Sequence, residues 1–91
     1  MLNSKPRRST NVEWYEKEGI ILIFDAKEVK LYVLRKGPAK DIWNWSDGKT
    51  TLNQIIRRIT EKYYVDEKQA ERDTIEFIKR LVEKSLVDIS S

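Results

Sequence analysis

The 91-residue chain has neither histidine nor cysteine. Without an imidazole or a thiolate there is no Ser-His-Asp or Cys-His nucleophile, no His-ligated zinc, no iron–sulfur cluster and no disulfide. Carboxylate chemistry is what remains. Asp73 with Glu76, and Glu67 with Glu71, stand at helical spacing and could hold a cation. Nothing around them resembles a metal loop, and a solvated, ion-paired helix face explains them more simply. Arg57, Arg58 and Lys62 make a modest basic cluster. Trp43 lies beside Ile42 in an apolar stripe and reads as core. Trp45 falls off that stripe and is expected to be partly exposed, and Trp14 and Tyr15 are compatible with either role.

A different chemistry is available to the backbone, since an uncovered strand edge presents N–H and C=O groups that accept another strand. Three strand-like segments precede any helix. The first is short and aromatic, near Val12 to Tyr15. The second, Ile20 to Phe24 after Gly19, is a continuous apolar run of the kind expected of a central strand covered on both faces. The third is Val29 to Arg35, with Val29, Leu31 and Val33 on one face and Lys30, Tyr32 and Leu34 on the other. The short connections, including Asp25-Ala26-Lys27-Glu28, imply an antiparallel meander.

Helices follow. Gly37-Pro38 predicts a helix from Pro38 to about Trp45, because proline fits the first helical position, with Ala39, Ile42 and Trp43 inward. Ser46-Asp47-Gly48 ends it. Thr51-Leu52-Asn53-Gln54 is a capping box and starts a second helix to about Tyr63, burying Leu52, Ile55, Ile56, Ile59 and Tyr63. Asp66-Glu67-Lys68-Gln69 is a second such box, with Val65 and Ala70 placed for a hydrophobic staple. The third helix is predicted from Glu67 to Lys84. One stripe carries Ala70, Thr74, Phe77 and Leu81, and another Ile75, Ile78 and Val82. Leu86 to Ile89 could add a strand or pack as a loose end. The expected architecture is α+β and winged-helix-like: a three-stranded antiparallel sheet followed by three helices, β-β-β-α-α-α.

In this arrangement the third strand and the third helix form a groove. Lys30, Tyr32, Leu34 and Arg35 would flank it, and Phe77, Arg80 and Leu81 would form the other wall. Recognition by strand addition takes affinity from backbone hydrogen bonds and specificity from pockets for alternate side chains. The competing reading is that these apolar residues only fill the core and Arg80 is a solvated charge.

The composition bounds the alternatives. Apolar residues are 40% and charged residues 36%, which suits one small domain with a modest core. The net charge of +3 comes from Lys5, Arg7 and Arg8, in a stretch without acids that is expected to be a flexible basic arm over residues 1–11. Residues 12–91 are then a neutral single domain. A winged-helix DNA-binding regulator is the alternative function, yet its reading helix would be the third, whose start carries Glu67, Glu71, Asp73 and Glu76. A structural subunit of a larger enzyme is a third possibility. The longest apolar run, Ile20 to Phe24, is far below the ~20 residues of a membrane span, and no signal peptide is evident. The default expectation is cytoplasmic.

Order and spacing of several short motifs resemble one family. They are Asp-x-x-x-Val-x-Leu-Tyr-x-Leu over Asp25 to Leu34 and Gly-Pro-Ala-x-x-Ile-Trp over Gly37 to Trp43. They continue with Asp-Gly-Lys-Thr-Thr over Asp47 to Thr51, Tyr-x-Val-Asp over Tyr63 to Asp66, and Phe-Ile-x-x-Leu over Phe77 to Leu81. Together they look like the PqqD family of precursor-peptide recognition proteins, also called RiPP recognition elements, and span roughly residues 12 to 89. Arg35 and Ser85 stand where Asn and Gly are expected. The resemblance implies a non-catalytic protein without a cofactor or metal. It would bind the leader of a ribosomally made precursor as a strand beside the third strand. It would then present the peptide to an enzyme such as a leader peptidase or a radical SAM protein, in pathways including lasso peptide and pyrroloquinoline quinone biosynthesis. It further implies a monomer or weak dimer that binds neither nucleic acid nor membrane. The implied peptide-binding residues are Val29, Lys30, Leu31, Tyr32, Val33, Leu34 and Arg35 on the strand, with Asp73, Thr74, Phe77, Arg80, Leu81 and Lys84 on the helix. Lys30, Arg35, Arg80 and Lys84 would pair with acidic leader residues, and Tyr32, Leu34, Phe77 and Leu81 would receive apolar ones.

Overall fold

Local chemistry sets most of the elements in the computed structural model, which describes residues 1–90. The strands are β1 (Lys5–Arg8), β2 (Glu13–Lys17), β3 (Ile20–Asp25), β4 (Lys30–Leu34) and β5 (Val87–Ser90). The helices α1 (Pro38–Trp45), α2 (Leu52–Tyr63) and α3 (Glu67–Glu83) lie between β4 and β5. The β2-β3-β4 meander followed by three helices is the α+β arrangement expected.

The turns explain the meander's register. Lys17 pairs with Ile20, so the β2–β3 loop is Glu18-Gly19, both with φ positive, at 53° and 79°. Such a two-residue turn matches the right-handed strand twist, and Gly19 takes the conformation at no steric cost. Asp25 closes the next hairpin, its Oδ1 accepting from the Lys27 and Glu28 amides at 3.0 and 3.3 Å. Val29 completes that turn at φ 53°, a costly conformation for a β-branched residue. The third strand is therefore shorter than the sequence predicts, and Val29 and Arg35 fall outside it.

The helices begin where their caps dictate. The Thr51 hydroxyl accepts from the Gln54 amide at 3.1 Å, while the Gln54 side chain accepts from the Thr51 amide at 2.9 Å. At α3 only half of the predicted box forms. Asp66 accepts from the Lys68 and Gln69 amides, but the Gln69 side chain donates to Asp73 at 2.9 Å instead of reaching back.

The core lies between the inner face of the meander and the helices. Ile21 and Ile23 of β3 meet Ile42 and Trp43 of α1, Leu52, Ile55, Ile56 and Ile59 of α2, and Ala70, Ile78 and Leu81 of α3. Ile78 thus joins the Ala70–Leu81 stripe, whereas Val82 turns toward solvent. Trp43 is fully buried with the Trp14 ring edge-on, centroids 5.8 Å apart. The expectation that β3 is covered on both faces is corrected. Leu22 is half-buried and Phe24 exposed, because the helices pack on one side only.

The largest correction concerns the amino-terminal segment. Lys5–Arg8 are not a loose arm; they form β1, antiparallel to β5, with Arg8 opposite Val87. Pro6 is buried, as an edge strand permits. The Arg8 guanidinium donates to the carbonyls of Trp43 and Asn44 at 2.9 and 2.8 Å, satisfying the carboxyl end of α1, and lies 5.0 Å from the Trp14 ring. Leu86 and Val87 are consequently buried, so the carboxyl tail is part of the core.

Candidate functional site

Both outer strands of the meander are edges, but they differ in what flanks them. Beside β2, side chains of α1 close in: Lys40 meets Glu16 at 2.9 Å, and Asn44 donates to Glu16 at 3.4 Å. Glu16 is held below the usual carboxylate range chiefly by the Lys40 hydrogen bond, against some desolvation. No described strand pairs with the far side of β4, and there α3 stands off to leave a cleft. Its central cavity, about 160 Å³, is lined by Ile23, Tyr32, Val33, Leu34, Phe77, Arg80, Leu81, Lys84 and Leu86.

Two further hollows continue this cleft. Toward the amino-terminal half of α3 an apolar cavity of about 230 Å³ is bounded by Pro38, Ala39 and Ile42 of α1, Ile59 and Tyr63 of α2, and Ala70, Asp73, Thr74 and Phe77 of α3. Phe77 belongs to both cavities. At the other end a polar hollow is lined by Asp25, Lys27, Glu28, Lys30, Tyr32, Glu83, Lys84 and Ser85. From Lys84 to Ala70 the helix rises about 21 Å, the span of roughly six extended residues.

Most residues singled out from the sequence therefore meet. Tyr32, Leu34, Phe77, Arg80, Leu81 and Lys84 share the central cavity, Lys30 lies at the polar end, and Asp73 and Thr74 lie at the apolar end; Val33 borders the central cavity, but its side chain is on the outer face of the sheet beside Leu22. Leu31 does not join them; it sits on the opposite face of β4 and is 62% exposed. Val29, in the turn, and Arg35, beyond the strand, line none of the three hollows. Lys30, Arg80 and Lys84 form no ion pair among the described residues.

The sequence reading missed the floor of the cleft, Ile23 and Leu86, and the helical cavity behind Phe77. The apolar stripe of α1 was the available signal for the latter. Its wall is fixed by a polar triad. Asp41, buried, accepts from the Tyr63 hydroxyl at 2.5 Å and pairs with Lys62 at 2.9 Å. Desolvation and the Asp41 hydrogen bond push the Tyr63 phenol up to about 12. Trp45 is half-buried beneath the Arg58 and Lys62 cations, 5.6 and 5.9 Å from its centre, so much of this basic cluster is engaged on the protein itself. Among the described residues no group of carboxylates is placed to hold a metal ion.

The model of coenzyme PQQ synthesis protein D (PqqD) matches residues 28–87. This chain belongs to the PqqD family. The match contains β4 and all three helices, and so the β4 and α3 walls of the cleft, while Ile23 of its floor lies just before it. Two solved structures share the PqqD-type fold seen here. "TbiB1 in Complex with the TbiA(beta) Leader Peptide" superposes with a TM-score of 0.82 at 21% identity, over 90% of this chain and 94% of that one. "Lasso peptide synthetase B1 complexed with the leader peptide" gives 0.81 at 17% identity, over 92% and 98%. A search of curated proteins finds no match.

Proposed function

We propose that this PqqD-family chain is a non-catalytic recognition protein. It binds the leader region of a ribosomally made precursor peptide as an added strand on β4, and presents that peptide to a modifying or processing enzyme. The observation that carries the reading is the open β4 edge facing the apolar walls of Phe77 and Leu81 across a continuous cleft. Backbone hydrogen bonds along β4 would supply affinity, and the hollows would select alternate side chains. The family membership and the leader peptides held by both similar structures support it. A chain without histidine or cysteine is poorly equipped for catalysis. The recipient enzyme belongs to the leader peptidase or radical SAM class, the complex forms in the cytoplasm, and the free protein is a monomer or weak dimer.

In this reading Lys30, Arg80 and Lys84 attract acidic leader residues, while Tyr32, Leu34, Phe77 and Leu81 receive apolar ones. The test is a fluorescence anisotropy titration with the leader of the precursor encoded beside this chain's gene, and in parallel with duplex DNA. Saturable peptide binding with no DNA binding is expected. Salt-sensitive DNA binding without peptide binding would overturn the proposal in favour of a winged-helix regulator.

A further inference from the structure

The meander has a second face that the core does not use. Cross-strand partners share a face, so the register puts Tyr15 beside Leu22 and Leu22 beside Val33, with Phe24 beside Leu31. Tyr15, Phe24, Leu31 and Val33 are 58%, 42%, 62% and 44% exposed. The charged members of this face, Glu13 and Lys17, sit at opposite ends of β2 and leave its centre apolar. Soluble proteins seldom expose contiguous apolar groups without a partner for them.

Two observations identify the partner. Strand spacing and rise make the three-stranded face about 14 Å by 17 Å, or roughly 240 Å². That is well short of the roughly 800 Å² per partner of a standard stable interface, so this face alone does not sustain a dimer of the chain. The face is also continuous with the cleft through β4. A strand added to β4 extends the sheet, and its side chains alternate. Every second one enters the cleft, and the others stand on the outer face beside Leu31 and Val33. The guest therefore widens the apolar face by about a third.

We infer that the outer face of β2-β3-β4, completed by the outward side chains of the bound peptide, is the docking surface for the enzyme that receives the peptide. This rests on the peptide-presenting function proposed above. Docking on the host's own apolar patch is weak. With the guest in place the patch is larger, and the guest's continuing chain tethers the enzyme at high local concentration. Linkage makes the effect reciprocal: the enzyme tightens peptide binding by the same factor that the peptide tightens enzyme binding.

The test uses the full chain, the precursor peptide and the peptidase or radical SAM enzyme encoded in the same gene cluster. Enzyme affinity is measured by biolayer interferometry with and without saturating peptide, for wild type, Phe24→Lys and Tyr15→Lys. Wild type should bind the enzyme at least about tenfold more tightly with peptide present. Both variants, whose altered side chains are exposed, should keep the wild-type circular dichroism and peptide affinity but lose the enhancement. Precursors with Lys at outward positions should lose it too while still binding the cleft. Enzyme binding unchanged by either face variant overturns the inference, as does a concentration-dependent dimer of wild type, abolished by Phe24→Lys, with no effect on the enzyme. Failure of wild type to bind the peptide at all would instead sink the peptide-presenting function, and is read in the first step.

Discussion

Phe77→Ala is the most direct probe of the cleft. The ring is half-buried and bounds both apolar cavities, so it stands between the core and the guest. If the guest covers about 50–60 Å² of the ring, about 1.5 kcal/mol of apolar burial is lost on truncation. The guest side chain facing the ring loses a similar contact, reduced by partial collapse of the cleft. The net effect should be about 2 kcal/mol, or roughly thirtyfold in Kd. Fold stability should fall by about 2 kcal/mol, less than for a fully buried phenylalanine. Anisotropy titration of the labelled leader gives the Kd, and urea unfolding gives the stability. Phe24→Ala is the matched control. It removes the same ring from the other face of the sheet and should leave the Kd of the binary complex within about twofold of wild type. A Phe77→Ala protein that remains folded and binds the leader within twofold of wild type would refute the placement of the guest.

Other outcomes follow from the same geometry. Leader affinity should weaken as ionic strength rises, through screening of Lys30, Arg80 and Lys84, while a leader with its acidic residues amidated should show little salt dependence. Arg8→Ala removes two charge-assisted hydrogen bonds to the end of α1 and should lower stability by about 2 kcal/mol in urea unfolding; an unchanged midpoint would show that β1 does not brace the helix. Val29→Gly should raise stability by about 0.5–1 kcal/mol by relieving a left-handed β-branched residue. The Tyr63 phenol is raised to about 12 in the folded protein, so its contribution is fully present below the unfolded phenol's ordinary value and is lost as pH rises through about 12. Unfolding midpoints of wild type should therefore fall more steeply across that alkaline range than those of Tyr63→Phe.

The parts that were legible in the sequence are those set by neighbours along the chain. The Thr51–Gln54 box, Pro38 at the start of α1 and Asp66 before α3 each act within four residues, and each starts its helix where expected. Alternation along Lys30 to Leu34 separates the two faces of β4 correctly, because a strand's period is two. The cleft could then be anticipated from β4 and α3 together. The Asp66 box shows the limit even at short range: Gln69 has two acceptable partners, and Asp73 one turn away takes it.

Pattern could not say which partners distant segments would find. Four residues of β1 carry no useful periodicity, and only pairing with β5, at the other end of the chain, makes them a strand. Arg8 reads as part of a basic arm until the end of α1 presents the Trp43 and Asn44 carbonyls to it. The apolar run of β3 does not reveal that helices cover one face and leave the other open. Amino-acid sequence alone thus determined the elements, their order and the candidate edge, because caps, turns and strand parity are local. Tertiary structure decided that α3 stands across a cleft from β4 while α1 flanks β2, that a second cavity lies behind Phe77, and that Ile23 and Leu86 form the floor of the cleft. Those depend on contacts between segments far apart in the chain, which no local pattern encodes.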